Sequence, residues 1–168
     1  WDILAMPGVE ITHVPKDDID MVARMAKELG AKLVAVHGET IVEPVEPGTN
    51  EAAVRSAFVD VLAHPGLISY EVARLAAENG VYLEVSARKG HSLANGHVVN
   101  TAREAGAVTV LDSDAHEPED LLTLDLVEKI AEGAGLNKEE AHALLQTNPK
   151  NLLVKLGFGP VPASDTRP

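Results

Sequence analysis

The sequence predicts an α/β fold in which parallel strands are covered by helices, and two observations lead to this prediction. First, five apolar runs of strand length alternate with segments whose apolar residues repeat every three or four positions, as in helices. Second, aromatic residues make up only 3% of the 168 residues and hydrophobic residues 45%, so aliphatic side chains must build the core. Such a composition is typical of buried parallel strands. A chain of this length is expected to form one domain.

The strands are predicted where the short apolar runs occur, at residues 5–11, 32–36, 58–63, 81–86 and 107–111. Parallel strands joined by helices place all their carboxyl ends at one edge of the sheet. Five strands are too few to close a barrel of the usual eight. The pattern therefore leaves two alternatives, an open sheet or a barrel whose first strands precede Trp1.

The helices are predicted between the strands, from their periodicity and from their end signals. Residues 17–29 show helical spacing and stop at Gly30. Ser69 predicts an N-cap, and Asn137 with Glu140 resembles a capping box. The helices are expected at residues 17–29, 51–57, 69–79, 94–105, 118–132 and 138–146, with a last one from 148 to before 157. Residues 158–168 contain three prolines and are expected to form a mobile tail.

Potential metal ligands lie at the carboxyl ends of four of the five predicted strands: Glu10, His37, His64, Asp114 and His116. Because these ends meet at one edge of the sheet, the side chains are expected to converge. A mixed set of carboxylates and imidazoles suits a hard-to-borderline divalent cation. The chain has no cysteine, so neither a thiolate ligand nor a disulfide is available. The pattern predicts a metal-dependent hydrolase, although a solvated strand end, a hydrogen-bonded core histidine or an acidic turn would place the same residues there.

Three further residues are candidates for catalysis. Arg88 follows the fourth predicted strand, where its guanidinium would hold a substrate phosphate or form part of a solvated cationic loop. Glu39 is expected to support His37 or to act as the base that orients water. His91 is a candidate for proton transfer or for support of a ligand.

Composition argues against several classes of function. The chain carries 14 basic and 26 acidic residues, a net charge of −12, which opposes general binding to nucleic acid but is compatible with a small phosphorylated substrate held by a local cation or metal. No apolar run approaches the roughly 20 residues that span a bilayer, and no signal peptide is visible. We therefore expect a cytoplasmic protein that does not bind membranes. Glycine-rich nucleotide motifs and a nucleophile-elbow serine are absent. The oligomeric state is not predicted.

The segments that carry the ligands occur in the order typical of one known family. They are Gly8-Val9-Glu10, Val36-His37-Gly38-Glu39, Ala63-His64-Pro65 and Asp112-Ser113-Asp114-Ala115-His116. The chain resembles the PHP family, named for its polymerase and histidinol phosphatase members, and most closely its histidinol-phosphatase-like branch. The resemblance extends over roughly residues 6–156.

This resemblance implies a distorted barrel of seven β/α units with three metal ions, which hydrolyses phosphate esters through a metal-activated water. The family begins with a His-x-His strand, and no His-x-His occurs in this sequence. The expected fold is therefore a partial (β/α)7 TIM-like barrel at residues 1–157 that lacks the first two strands. The expected cofactors are divalent zinc, manganese or iron.

The resemblance also distributes the ligands among the three ions. Glu10, His37 and His64 would complete one site, whereas a second keeps only Glu10 and Asp114 and a third only His116. Fewer than three ions are therefore expected. The implied activity is hydrolysis of a small phosphomonoester. The alternatives are a PHP nuclease or polymerase-associated phosphodiesterase module, or a metal-binding fragment without catalytic activity.

Overall fold

A five-stranded parallel sheet organises residues 5–159, which are the residues that the computed structural model describes. The strands are β1 (Gly8–Ile11), β2 (Leu33–His37), β3 (Val61–Ala63), β4 (Tyr82–Ser86) and β5 (Thr109–Asp112). They lie side by side in the order of the chain, and every neighbouring pair is parallel. The prediction of an α/β fold with a parallel sheet is confirmed.

Seven α-helices accompany the sheet within this part of the chain: α1 (Ile19–Glu28), α2 (Thr49–Arg55), α3 (Tyr70–Asn79), α4 (Asn95–Ala105), α5 (Leu124–Gly133), α6 (Lys138–His142) and α7 (Asn148–Lys155). Short 3-10 turns at Lys16–Asp18, His91–Ala94 and Pro118–Asp120 and a π-helical turn at Ala143–Thr147 complete the set. None of these helices has the length and hydropathy needed to cross a lipid bilayer.

Two helix predictions are corrected by the structure. The helix expected from residue 118 begins only at Leu124, because Pro118 opens a separate 3-10 turn and the Thr123 hydroxyl caps α5 by accepting from the Leu126 amide. The helix expected at 138–146 is divided, and its second half is the π-helical turn that leads into α7. The capping box of Asn137 and Glu140 is present as predicted.

Helices α1 to α4 cover one face of the sheet, which we call the outer face. Right-handed crossovers between consecutive strands in one direction place every connecting helix on the same side. The outward residues of the strands, such as Val34, Leu62 and Leu83, are fully buried in one apolar cluster with residues of these four helices. This cluster contains most of the buried hydrophobic residues in the described part of the chain.

The opposite, inner face is divided along the strand direction. Its amino-terminal half is apolar, and α7 turns back across it, so that Leu152 packs on Val61 and Val110. The carboxyl-terminal half of the same face carries polar side chains, among them Glu10 and Glu84, which line a cavity of about 350 Å³. The site candidates therefore lie where the covering by α7 ends.

The strands follow the order of the chain, as is expected for part of a barrel. A sheet whose strands follow chain order, with helices α1 to α4 on one face, corresponds to consecutive units of a β/α barrel, whereas doubly wound sheets reverse direction and carry helices on both faces. The seven-stranded barrel and the two missing strands stay predictions, as does the domain boundary at 157. Of the predicted tail, residues 160–168 lie outside the described residues.

Two loops cross closely beside the site. The loop after β2 passes over the loop after β3, and the Gly38 amide donates to the Ala63 carbonyl over 2.9 Å. Gly66 has a φ of +61°, and a Cβ atom there would clash with the carbonyl oxygen of Glu39. The crossing fixes the backbone directly after His37 and His64.

We predict that Gly66→Ala lowers the free energy of unfolding by about 3 kcal/mol. Left-handed strain costs about 1–2 kcal/mol, and forcing the Glu39 carbonyl aside costs about 1–3 kcal/mol more. Gly80→Ala is the matched control, since Gly80 has a φ of +67° and nothing within 4 Å of its Cβ position. Urea denaturation followed by circular dichroism measures both. Equal losses in the two variants would show that the crossing is not tightly packed.

Candidate metal centre

The structure brings Glu10, His37 and His64 together at the carboxyl edge of the sheet. The Oε1 atom of Glu10 lies 3.5 Å from His37 Nδ1 and 3.5 Å from His64 Nε2. The two ring nitrogens are 3.0 Å apart. Both histidines are buried, whereas the Glu10 side chain is 35% exposed. These three atoms are close enough to bind one ion.

Strand register produces this convergence. Glu10 pairs with Ala35, and His37 pairs with Ala63, which directly precedes His64. Because side chains alternate between the faces of a strand, Glu10, Ala35 and His37 share the inner face. His64 leaves the strand with a φ of +29°, in the left-handed region that non-glycine residues rarely adopt. Strained backbone of this kind concentrates at functional sites.

Glu84 holds His64 in place and was missed by the sequence reasoning. Its Oε2 atom accepts from the His64 amide over 2.6 Å and faces the ring Nδ1 over 2.9 Å. With the Nδ1 proton donated to Glu84, the lone pair of Nε2 points towards Glu10 and His37. Metal-binding histidines usually have such a carboxylate partner. The signal was present in the sequence, since Glu84 is a charged residue within an apolar strand.

Two carboxyl groups beneath the ligands have strongly shifted pKa values. Burial raises the pKa of Glu84 to about 7, and its Oε1 atom has no hydrogen-bond partner within residues 5–159. Burial and the neighbouring Glu84 raise the pKa of Asp112 to about 8. Asp112 is an exposed residue that lines the cavity. A bound cation would favour the ionised form of both groups, so the donor set fits a divalent ion.

The titration of the ligands themselves is set by their mutual contacts. The hydrogen bond with Glu10 raises the pKa of His37, and the same contact lowers the pKa of Glu10. Burial lowers the pKa of His64, which favours the neutral imidazole that binds metals. The Nε2 atom of His37 lies 3.3 Å from the Glu43 carbonyl, and donation to this carbonyl leaves Nδ1 available to an ion.

Asp114 and His91 form a second cluster with His64. The Asp114 Oδ2 atom lies 3.8 Å from His91 Nε2 and 4.0 Å from His64 Nδ1. The rings of His64 and His91 stack with centroids 4.1 Å apart. Asp114 has a φ of +44° and donates its amide to Asp112 over 3.0 Å. The three side chains are also close enough to bind an ion.

Arg88 and His116 contact each other beside Asp114, which lines the cavity. Arg88 Nε is 3.6 Å from Asp114 Oδ2, and its Nη1 donates to the Asp114 carbonyl over 3.0 Å and contacts the ring of His116. The His116 side chain is 60% exposed and reaches Asp114, not the buried histidines. The structure therefore does not bring His116 into the cluster of Glu10, His37 and His64.

The structure does not place Glu39 against His37. Its Oε1 atom accepts from the amides of Gly48 and Asn50, over 3.0 and 2.9 Å, at the start of α2. The carboxylate thus satisfies free amides at a helix N-terminus, where its charge is favourable. The contact expected with His37 is made instead by the carbonyl of Glu43.

Comparison with known sequences places the chain in a family. It is 46% identical over 157 residues to "Uncharacterized protein MJ1295" of Methanocaldococcus jannaschii. The match covers 93% of this chain and 72% of the archaeal protein. This chain belongs to the family of that archaeal protein. The name of this archaeal protein states no activity. No protein-family model matches the chain.

More distant relatives carry a functional name. The chain is 32% identical over 154 residues to a "Probable phosphatase" of Shewanella halifaxensis and 26% identical over 151 residues to one of Thermoanaerobacter sp.. These matches cover 83% and 80% of this chain, and 60% and 61% of the two phosphatases. The chain thus spans about 60% of the length of these proteins.

Solved structures share the fold at low sequence identity. A chain from the cryo-EM structure of archaeal ribonuclease P with mature tRNA matches with a TM-score of 0.75 at 16% identity, over 100% of this chain and 80% of that one. An amidohydrolase matches with a TM-score of 0.66 at 21% identity, over 88% of this chain and 42% of the amidohydrolase. These similarities concern the fold alone.

We predict that Glu10→Gln and His37→Ala each remove about one bound Zn²⁺ per chain, because three protein ligands are the usual minimum for a catalytic zinc site. Zinc content after dialysis, measured by atomic emission, tests this. His142→Ala is the control, since His142 is exposed on α6. Unchanged zinc in Glu10→Gln, whose side chain is partly exposed and whose shape is preserved, would exclude Glu10 as a ligand.

A second prediction concerns Glu84. Glu84→Gln should weaken Zn²⁺ binding by about 10- to 100-fold, the usual effect of losing the partner of a metal-binding histidine. Zinc affinity should also rise from pH 6 to 8, because an ion displaces protons from Glu84 and Asp112, whose pKa values are about 7 and about 8. Competitive chelator titrations at several pH values measure both effects. Glu78→Gln, on the exposed face of α3, is the control. An equally steep pH dependence in Glu84→Gln would show that Glu84 releases no proton.

Proposed function

We propose that this protein is a metal-dependent phosphoesterase of the PHP type that hydrolyses a small phosphomonoester. One observation carries the proposal: ligand atoms of Glu10, His37 and His64 lie within 3.5 Å of one another, and Glu10 and His64 line a cavity. The similarity to probable phosphatases at 26–32% identity supports the same activity. A histidinol-phosphatase-like substrate is part of this proposal.

Glu10, His37 and His64 would hold the ion. Their oxygen and nitrogen donors accept zinc, manganese or iron. When bound, such an ion supplies an activated water and positive charge for the phosphoryl oxygens. Glu84 keeps the His64 ring in the required orientation, and the short distances between the three ligand atoms preorganise the site.

Arg88 would seat the phosphate. Its guanidinium lies beside Asp114, which lines the cavity together with Glu10 and His64. A planar guanidinium binds phosphate oxygens in pairs, which fixes the orientation of the ester. The attraction between Arg88 and Asp114 holds the guanidinium at this position before substrate binds. His91 presents a neutral nitrogen beside the same aspartate, because burial lowers its pKa.

A small substrate agrees better with the charge of the chain than nucleic acid does. A net charge of −12 repels a polyanion, whereas one phosphate can be attracted by Arg88 and the metal locally. The ribonuclease P chain shares the fold at 16% identity, which carries no argument about RNA binding here. Phosphodiester substrates therefore serve as the contrasting arm of the test.

We predict that the protein with Zn²⁺ or Mn²⁺ hydrolyses p-nitrophenyl phosphate, and that EDTA abolishes the activity. Glu10→Gln should lower kcat/KM by about 100-fold or more, since losing a ligand impairs both water activation and charge stabilisation. Arg88→Ala should raise KM about 10-fold with metal content unchanged, because it removes a phosphate contact. Arg74→Ala is the matched control, since Arg74 is exposed on α3 and pairs with Glu78.

The outcomes separate the alternatives. Faster hydrolysis of bis-p-nitrophenyl phosphate or of a single-stranded oligonucleotide would show that the protein is a phosphodiesterase and not a phosphomonoesterase. Bound metal without turnover of either substrate would support a metal-binding protein without catalytic activity. Activity that survives EDTA and metal removal would contradict the proposal outright.

A further inference from the structure

We propose that the apolar end of the cavity beside the metal centre binds the organic group of the substrate, and that this group is a compact hydrocarbon such as a phenyl ring on a short linker. The inference narrows the small phosphomonoester of the proposed function, on which it rests, to one with an apolar organic group. The pocket itself depends only on the geometry of the cavity. The reasons lie in the distribution of polar side chains around the cavity, in the fixed position of α7 and in the surroundings of Leu153.

The cavity is polar at one end and apolar at the other. The titratable residues that line it all belong to the candidate metal centre: Glu10, His64, Glu84, Asp112 and Asp114. Every other lining residue among residues 5–159 is apolar, and these residues come mostly from β2, β3, β5 and α7. A phosphate held at the ligand cluster would therefore leave the rest of its ester beside side chains that donate no hydrogen bond.

The size of the cavity suits a ring with a short linker. An apolar cavity of about 150 Å³ is large enough to bind benzene, and pockets for small molecules begin at about 300 Å³. At about 350 Å³, this cavity can hold a phenyl ring and one or two further carbons. A polar organic group would lose its hydrogen bonds to water without replacement, which is unfavourable. Size and lining together select a hydrocarbon.

Helix α7 borders the apolar end of the cavity and is held at both of its own ends. At its start, the Asn148 side-chain amide donates to the Thr109 carbonyl of β5 over 2.8 Å. At its last residue, Lys155 Nζ donates to the Gly80 carbonyl over 2.8 Å. The π-helical turn Ala143–Thr147 leads into this helix, and such turns are frequent at functional sites. The pocket is thus formed before a ligand binds, which removes the cost of ordering it.

Leu153 is the side chain of α7 that is most available to a ligand. Its neighbour Leu152 is buried against Val61 and Val110 and belongs to the core. Leu153 also lines the cavity, but it is only partly buried and belongs to none of the apolar clusters formed within residues 5–159. A hydrocarbon group in the cavity would remove both its own surface and that of Leu153 from water, which stabilises the complex. We therefore assign Leu153 as a specificity-determining residue.

The test compares 2-phenylethyl phosphate with glycerol 3-phosphate, two esters of primary alcohols whose leaving groups have similar reactivity. With the Zn²⁺-loaded wild-type protein, we expect kcat/KM to be at least about 100-fold higher for 2-phenylethyl phosphate, because each methylene group in a hydrophobic pocket contributes about 10-fold or more. Leu153→Ala should lower this ratio by about 10-fold. Val154→Ala, which should leave the ratio unchanged, is the matched control, since Val154 is 54% exposed on the same helix and does not line the cavity. The ratio cancels any loss of folded protein or metal, because both substrates use the same centre.

Methyl NMR gives a readout independent of hydrolysis. The probe is 2-phenylethanol, which carries no phosphate and needs no metal. Its addition to the wild-type protein should shift the methyl signals of Leu153 and Leu156, which line the cavity, in a saturable manner and leave those of Val154 unchanged. The wild-type preference and these shifts decide the inference even where Leu153→Ala fails to fold.

The outcomes separate this inference from the proposed function. Saturable methyl shifts without hydrolysis of any phosphomonoester would contradict the proposed function and leave the pocket standing. A kcat/KM for glycerol 3-phosphate or for histidinol phosphate, whose organic groups are polar, that equals or exceeds the value for 2-phenylethyl phosphate would overturn the inference and leave the phosphoesterase standing. Absent methyl shifts, or a ratio that Leu153→Ala does not change, would overturn it as well.

Discussion

The buried contact between Glu84 and His64 is the interaction on which the centre depends. One carboxylate oxygen binds both the backbone amide and the ring of the same histidine, so it stabilises a left-handed backbone at His64 and selects the ring tautomer at once. The contact also joins the end of β3 to the middle of β4. Replacing the glutamate by an apolar residue would leave two buried donors without a partner, a cost far above that of an ordinary surface hydrogen bond.

The sheet accommodates this polar cluster because most of its remaining surface is buried against apolar side chains. Helices α1 to α4 bury the outer face, and α7 buries the amino-terminal half of the inner face through Leu152. These apolar layers contribute the stability that the carboxyl-terminal half of the inner face cannot supply. The pKa values of buried Glu84 and of the adjacent Asp112 are raised to about 7 and about 8, so both groups bind protons near neutral pH unless a cation balances them. On the inner face, the strands thus contribute apolar residues to the core at their amino-terminal ends and polar residues to the site at their carboxyl-terminal ends.

Sequence similarity and the chemistry of the clustered side chains support the proposed function independently of each other. The family relationship to the Methanocaldococcus protein rests on sequence along 93% of this chain, and the resemblance to probable phosphatases adds a class of reaction. The clustered donors lead separately to a divalent ion. Ribonuclease P and amidohydrolase chains show that this fold occurs with different biochemistry, so function must be argued from the side chains of the site.

The sequence by itself determined the five parallel strands and the ends of most helices, because strand-length apolar runs, glycine stops and capping residues are local signals. It also predicted that Glu10, His37 and His64 would meet, since parallel strands align their carboxyl ends. Only the tertiary structure decided the partners of these groups. In the sequence, Glu84 is a single charged residue within an apolar strand. Its role is visible only in the structure, where the end of β3 brings His64 into contact with it. Glu39 follows a ligand in sequence, yet the turn of its loop directs it to the start of α2. Such contacts depend on the crossing of separate loops, and no local pattern encodes them.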